Sequence, residues 1–368
     1  MAKHRARVAA TMVAAGLALV ACSSPPAPGP PAPPAEAPTG SIWAADEGGN
    51  SLSVIDAATH SVATTLTGIA GPHNVQVGPD GTVVYATSGA GLVVAIDPTT
   101  YRVIASAPTG PHPAHVVEAP NGKVYVTNTG DGTVSVYQKK GLVPAGRITL
   151  GGMPHGLRPA AGGSVIVVAN MMDAALDLID PATDTSLGSV AVGTSPLQVA
   201  VSADGRYAYA GLSDPPSVVK VDLSTRTVIG HVPVPSSPVQ LYLSPDEKTV
   251  LSADQGSKAE PGHTLSVIET TTMTTRATIP SGSGPHGVVI DPSGHWAWVT
   301  NSFDNTVSTV DLTTLDVAAT TAVGNGPNGI SYATAPPAPA PAPTSSLTIT
   351  ALPTAEGSPQ SQHGGPGH

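Results

Sequence analysis

A repeat of 41 to 47 residues occurs seven times in this chain and accounts for most of its length. Each copy is marked by a proline that follows a Gly/Ser-rich step, at Pro72, Pro113, Pro154, Pro196, Pro238, Pro285 and Pro327. A second marker, the residue that ends each Val-Ile-Asp-like run, recurs with the same spacings of 41, 41, 42, 42, 47 and 42 residues. This period, with four short strands per copy, is typical of β-propellers. We therefore predict an all-β fold, a seven-bladed β-propeller of four-stranded antiparallel blades.

The two ends of the repeat region predict how the ring closes. The region begins with the last three strands of blade one, residues 42–66, and ends with a single apolar segment, residues 327–332. That segment is predicted to be the missing inner strand of blade one. Completing one blade from both termini would remove the exposed strand edge that a linear array leaves.

The segments before and after the repeat region differ from that region in composition. Residues 1–22 combine a basic start, an apolar run and the sequence Leu-Val-Ala-Cys, which predicts a secretory signal with a lipobox and lipidation of Cys22. An ordinary signal peptide with a stray cysteine is the alternative. Residues 23–39 are predicted to be a Pro/Ala-rich linker, 40–332 the propeller, and 333–368 a disordered tail with room for a short strand at 347–352. We therefore expect a lipid-anchored protein on the outer face of a membrane.

Composition excludes several functions. The net charge of −10 disfavours nucleic acid and anionic lipid as electrostatic partners, so no nucleic-acid partner is expected. Cys22 is the only cysteine, which leaves none for a disulfide or a thiol nucleophile.

The strand motifs resemble those of a known family. Blade three reads VYVTN from Val124 and GTVSVY from Gly132, and blade seven reads WVTN from Trp298. These strings are similar to the YVTN family of seven-bladed propeller repeat proteins, a resemblance that covers residues 40–332 and implies architecture rather than activity. Residues 110–137 also look like part of the seven-bladed lactonases. That weaker resemblance implies lactone hydrolysis with His115, Glu118 and Arg158 as candidate residues.

Alternation along the innermost strands predicts which residues face the channel. We number places from each marker proline, so that the residue after it is the first place. The third place is apolar in all seven blades, which assigns odd places to packing between blades and even places to the channel. The channel is then polar. Its ligand-binding candidates are His115 and Gln240 at the second place, with Arg158 and Tyr242 at the fourth.

Histidines gather at the start of the inner strands. His73, His155 and His286 occupy the first place, and His112 and His115 flank Pro113. Imidazole is a common copper and zinc ligand, so His73, His115, His155 and His286 are the candidate metal ligands. Strict alternation, however, would turn the first-place histidines away from the axis, where they could bond a neighbouring loop.

Blades five and six differ from the others on this face. They carry Leu197 and Val239 at the first place, and blade six has a longer loop at 254–263. Such a face, part polar and part apolar, fits a binding mouth. Because no nucleophile motif is present, we expect a binding or scaffold module for a protein, small ligand or metal rather than an enzyme. A lactonase-like hydrolase and copper or zinc handling in the envelope are the alternatives.

Overall fold

The structure is a computed structural model that describes Met1 and residues 37–349. The predicted signal sequence with Cys22, most of the linker, and the end of the tail with His363 and His368 lie outside the described residues. Six four-stranded sheets and one five-stranded sheet make up the seven blades. In the described residues the helical segments are two 3-10 turns, Glu47–Gly49 and Lys140–Leu142, and no helix there has the length and hydropathy of a membrane span.

Each blade is an antiparallel meander that runs outward from the channel. The inner strands, from blade two to blade seven and then blade one, are Val75–Val77, Pro113–Glu118, Pro154–Pro159, Val199–Val201, Pro238–Leu243, Pro285–Ile290 and Pro327–Ala333. The second strands, from blade one on, are Ser41–Asp46, Val84–Ser88, Lys123–Asn128, Ile166–Asn170, Tyr207–Ser213, Thr249–Gly256 and Trp296–Asn301. The third strands are Ser51–Asp56, Leu92–Asp97, Thr133–Gln138, Ala175–Asp180, Pro216–Asp222, Pro261–Glu269 and Thr306–Asp311. The outer strands are Ser61–Thr67, Arg102–Pro108, Val143–Thr149, Thr185–Ala191, Thr227–Pro233, Thr274–Pro280 and Asp316–Ala322.

The ring closes as predicted. Pro327–Ala333 pairs antiparallel with Ser41–Asp46, with Tyr332 opposite Ile42 and Ile330 opposite Ala44. The last repeat therefore supplies the inner strand of blade one, and the seven-bladed all-β prediction is confirmed.

The first part of the predicted tail lies against the propeller, in contrast to the expected disorder from residue 333. Thr344–Ser346 adds a parallel fifth strand to the outer edge of blade one, and Leu347 is buried. Upstream, the carbonyl of Ala338 accepts a hydrogen bond from the Tyr101 hydroxyl at 3.0 Å. A Pro/Ala chain still offers backbone carbonyls and apolar side chains, and an outer strand has unpaired backbone groups to receive them.

The core lies between neighbouring blades. The third-place residues of the inner strands are almost completely buried: Val75, Val116, Leu157, Val199, Leu241, Val288 and Ile330. In one such cluster, Trp43 and Leu52 of blade one pack with Val84 and Val94 of blade two. Since each blade buries its faces only against its neighbours, the prediction that odd places pack between blades holds at the third place.

Candidate functional site

Four histidines converge where the inner strands begin. The ring of His155 lies 5.1 Å from that of His73 and 5.0 Å from that of His115, between ring centroids, and all these pairs meet edge to face. His286 stands beside them, with its ring centroid 6.2 Å from that of His73. The four come from blades two, three, four and seven, so the ring of blades gathers side chains that lie more than 200 residues apart in sequence.

A local irregularity explains why the first-place histidines face this cluster rather than turning away. The pairing of the inner with the second strand shifts register between the marker proline and the third place, as between Pro154 and Leu157 and between Pro285 and Val288. An extra residue in one strand breaks strict alternation and re-aims the side chains around it. The expectation that alternation directs these residues away from the axis is therefore wrong.

Three of the histidines have the spacing of a metal site. One ring nitrogen from each of His73, His115 and His155 lies within 4.8 Å of the other two. In a tetrahedral site with Zn–N bonds of 2.0–2.1 Å, ligand nitrogens are about 3.3 Å apart. Small side-chain rotations would bring the three nitrogens to that separation.

The outer ring nitrogens of two histidines are already held. Nδ1 of His155 lies 3.0 Å from the carbonyl oxygen of Leu197, and Nδ1 of His73 lies 3.3 Å from a carboxylate oxygen of Glu47. The Leu197 carbonyl only accepts, so His155 carries its proton on Nδ1 and leaves Nε2 with a free lone pair. Nδ1 of His73 also lies 3.1 Å from the amide nitrogen of Asn328, a donor, so the contacts of His73 are compatible with a proton on either ring nitrogen. Nε2 of His73 is buried without a hydrogen-bond partner among the described residues. A carboxylate behind a histidine is a frequent feature of metal sites.

Gln198 of blade five contacts the third histidine. Its amide nitrogen lies 3.2 Å from Nδ1 of His115, while its Oε1 accepts the backbone N–H of Val199 at 2.9 Å. Gly156 leaves the space for this reach, since a side chain there would collide with the Gln198 amide. An amide that donates to Nδ1 keeps the proton of His115 on Nε2. For His115 to bind a metal through Nε2, this proton must move to Nδ1, where an acceptor in place of the amide nitrogen would hold it.

His286 differs from His73 in which ring nitrogen lacks a hydrogen-bond partner among the described residues. Its Nδ1 is buried without a hydrogen-bond partner in the described part of the chain, and a hydrogen bond to the backbone of Asn328 involves the ring as well. This histidine stands outside the close group of three, next to His73, in the position of an optional fourth ligand.

Burial keeps three of the imidazoles, those of His115, His155 and His286, neutral. It lowers the pKa of His155 to about 3, with a further contribution from the nearby His73. Burial and the neighbouring imidazoles also hold the pKa of His115 and of His286 well below the usual range. Burial acts to raise the pKa of Glu47, but hydrogen bonds from His73 and Asn328 more than offset this and lower it. At neutral pH His115, His155 and His286 are therefore uncharged, and the ionised carboxylate of Glu47 lies behind His73.

The threonine of the repeat motif fixes the backbone of the site, a role that sequence reasoning missed. Thr127 Oγ1 accepts the N–H of His115 at 3.0 Å and donates to the carbonyl of His155 in the next blade at 2.5 Å. Thr87 makes the same bridge between Asn74 and Ala114, and Thr300 between Gly287 and Asn328. The recurrence of Thr at one place in three blades was the available signal.

The remaining candidates lie elsewhere. His112 is exposed and forms part of a turn with positive φ, outside the cluster. Gln240 is buried and donates to the carbonyl of Val288 at 3.3 Å. Arg158 and Tyr242, at the fourth place, line a cavity at the other end of the inner strands.

The three residues of the lactonase resemblance are divided between these regions. His115 belongs to the histidine cluster, and Arg158 to the cavity. Glu118 also lines the cavity, where it binds Lys139 at 2.9 Å and the Tyr85 hydroxyl at 2.9 Å.

Comparison with known proteins supports the fold. Residues 185–335 match the family model described as YNCE-like beta-propeller. Among solved structures, Kuenenia stuttgartiensis hydrazine synthase aligns with a TM-score of 0.65 and 21% identity over 72% of this chain and 90% of that one. A functionally unknown protein from Desulfotomaculum acetoxidans DSM 771 aligns with a TM-score of 0.70 and 13% identity over 81% of this chain and 100% of that one.

A third structure, the dihydro-heme d1 dehydrogenase NirN in complex with DHE, aligns with a TM-score of 0.60 and 17% identity. The alignment covers 79% of this chain and 65% of that one. At these identities the likeness concerns the fold alone. No curated protein matches the chain.

Proposed function

We propose that this seven-bladed β-propeller is a metal-binding protein of the cell envelope, which holds one zinc or copper ion among His73, His115 and His155. One observation carries the proposal: three imidazole nitrogens lie within 4.8 Å of one another. Nε2 of His73 is buried without a hydrogen-bond partner among the described residues, which costs free energy, and a bound ion would remove that cost.

The donor set selects the metal. All three ligands are imidazoles, whereas magnesium and calcium prefer oxygen ligands. Imidazole nitrogen suits zinc and copper, and copper(II) binds such sites more tightly than zinc does. His286 would complete a four-nitrogen site, or its position would be left to a small ligand.

The frame suits a binding role. Thr127 and the interblade core fix the backbone of His115 and His155, so little conformational entropy remains to be lost when a ligand binds. Leu197 and Val239, which replace the histidine in blades five and six, pack into the interblade core instead. The chain thus acts as a scaffold that holds the site rigid.

The cellular location is proposed from sequence. The lipobox around Cys22 and the Pro/Ala-rich linker support a lipid anchor that holds the propeller outside the cytoplasm. The YVTN-like strand motifs support membership of that family. Cys22→Ala should release the protein from the membrane fraction, and a variant that stays in the membrane fraction would contradict the anchor.

Metal loading tests the central proposal. The full-length protein, made without an affinity tag and purified without metal resin, would be loaded with zinc, desalted and analysed for bound metal. We expect about one equivalent. His73→Ala combined with His155→Ala should retain less than a tenth of it, since each structural ligand contributes about 3 kcal/mol, or roughly a hundredfold in affinity.

Matched variants identify the histidines responsible. His112→Ala combined with His231→Ala removes two exposed histidines, and His363→Ala combined with His368→Ala removes two from the tail. Both variants should bind as much zinc as the unmodified protein. Wild-type protein that binds no metal, or a His73/His155 variant that keeps its metal, would overturn the proposal.

A further inference from the structure

A cavity occupies the end of the inner strands opposite the histidines. Two adjoining spaces of about 300 and 400 Å³ share Gln76, Arg158 and Tyr242 as lining residues. Together they are lined by the fourth-place residue of every blade: Gln76, Val117, Arg158, Ala200, Tyr242, Val289 and Ser331. The first and fourth places are three residues apart, or about 10 Å along a strand, so this cavity is separate from the histidine cluster.

Arg158 brings a positive charge into this cavity without a balancing carboxylate. Among the described residues its guanidinium forms no ion pair, and its one hydrogen bond goes to the carbonyl of Leu157 at 3.4 Å. The two acidic residues in the walls share Lys139, which lies 2.9 Å from Glu118 and 2.6 Å from Asp80, and neither forms an ion pair with Arg158. Four of the five guanidinium N–H donors are therefore free for a ligand.

Other donors surround the guanidinium. The hydroxyl of Tyr242 has no hydrogen-bond partner in the described part of the chain, and Arg158 lies close enough to act on it electrostatically. Ser331 Oγ accepts the N–H of Val77 at 2.9 Å, which leaves its proton free to donate. Gln76 uses one amide hydrogen on the Val77 carbonyl at 3.1 Å and retains the other. The site therefore offers several hydrogen-bond donors around the positively charged guanidinium of Arg158.

The rest of the wall is apolar. Val117, Ala200 and Leu241 line one space, and Val289 and Ile330 line the other. A ligand that fits both parts has one small anionic group and a short hydrocarbon body. Inorganic phosphate, with close to two negative charges at neutral pH and no apolar part, matches the lining less well.

We propose that this cavity binds a small organic monocarboxylate. The carboxylate would accept paired hydrogen bonds from Arg158 and one from Tyr242, since planar guanidinium and carboxylate groups match in bidentate geometry. The aliphatic body would lie against Val117 and Ala200. This site is independent of the metal proposal and uses none of its residues.

Calorimetric titration of the full-length protein with butyrate tests the proposal, with butyramide as the uncharged analogue of the same shape. Butyrate should bind with one site per chain, and butyramide at least about tenfold more weakly. Arg158→Gln should weaken butyrate binding at least about tenfold. Arg158→Lys keeps the charge but not the paired donors, so its affinity for butyrate should lie between those of the parent and of Arg158→Gln. Tyr242→Phe should weaken butyrate binding several-fold, because it removes the hydroxyl donor without altering the apolar wall.

Controls separate this site from charge in general and from the histidines. Arg102→Gln removes an exposed arginine and should leave butyrate binding unchanged, as should His73→Ala combined with His155→Ala. Failure of butyrate to bind, equal binding by Arg158→Gln, or tighter binding of phosphate than of butyrate would each overturn the proposal.

Discussion

The two ends of the inner strands share one backbone frame and differ in chemistry. At the first and second places, His73, His115 and His155 bring three imidazole nitrogens together. At the fourth place, Arg158 and Tyr242 offer donors and a positive charge. The difference shows that the repeat determines where side chains point, whereas departures from the repeat at single places determine what each end can bind.

The shared frame lies between the two ends. The third place is apolar and buried in every blade, and Thr127 ties neighbouring blades together beside the histidines. Because these features recur, a substitution at the first or fourth place should change one end without disturbing the other.

Removal of the closing strand should disrupt the fold and so abolish binding at both ends of the inner strands. Truncation after Gly326 deletes Pro327–Ala333, unpairs Ser41–Asp46 and removes Ile330 from the core. We expect loss of cooperative thermal unfolding, measured by circular dichroism, because an open blade edge and an unfilled core face remain. Truncation after Ala333 keeps the strand but removes the segment against blade one, and should lower the melting temperature by only a few degrees. A native-like melting curve for the shorter chain would contradict ring closure.

Gln198→Glu should strengthen zinc binding at the histidine end and leave the Arg158 end unchanged. A glutamate retains an oxygen for the Val199 N–H and offers a second to Nδ1 of His115, which then presents Nε2 to the metal. Outer-shell partners of this kind change metal affinity by about 10- to 100-fold, and we expect zinc to bind roughly tenfold more tightly in a competition titration.

Gln240→Glu is the matched control for that change. It adds the same charge at the same place of blade six, but Gln240 bonds Val288 and no histidine. Equal tightening in both variants would show that charge alone is responsible, and would contradict the contact with His115.

Asp254→Asn should change stability and leave both ends unaltered. Asp254 is buried, and burial raises its pKa to about 6 against hydrogen bonds from three hydroxyls. The folded chain thus holds a proton that the unfolded chain, with a pKa of 3.8, has lost. Stability should therefore fall as pH rises from about 4 to 6 and stay lower above that range.

The position of Asp254 in blade six corresponds to Asn128, Asn170 and Asn301 in the blades where the motif is intact. The asparagine variant should be more stable by about 1–2 kcal/mol at pH 7 and unchanged at pH 4. Thermal melting at the two pH values measures this difference. Asp46, whose pKa burial also raises to about 6, contributes in parent and variant alike, so a variant with the same pH dependence as the parent would contradict titration of Asp254.

Much of the frame could be predicted from the sequence. Two markers with equal spacing predict the blades, and the incomplete ends predict closure. The apolar third place predicts core packing, and alternation correctly places Arg158 and Tyr242 at the channel. These features depend on patterns that recur every two residues, along a strand, or about every forty residues, from blade to blade. Both periods are visible in a single sequence.

The histidine cluster could be predicted only in part. Its residues were candidates, but their convergence depends on the shift in register after each marker proline, which alternation cannot express. The contact of Gln198 with His115 crosses blade four through the space at Gly156, and no local pattern indicates such a contact. The packing of residues 338–347 on blades one and two depends on the buried Leu347 and on backbone carbonyls, which every sequence has.

X-ray absorption at the zinc edge of the loaded full-length protein would identify the atoms that bind the metal. We expect three or four nitrogen ligands at about 2.0 Å with the multiple scattering of imidazole rings. That signal should be absent from the His73/His155 double variant. A coordination shell of oxygen without imidazole scattering, or an unchanged spectrum in the double variant, would contradict a metal site at the histidine end of the channel.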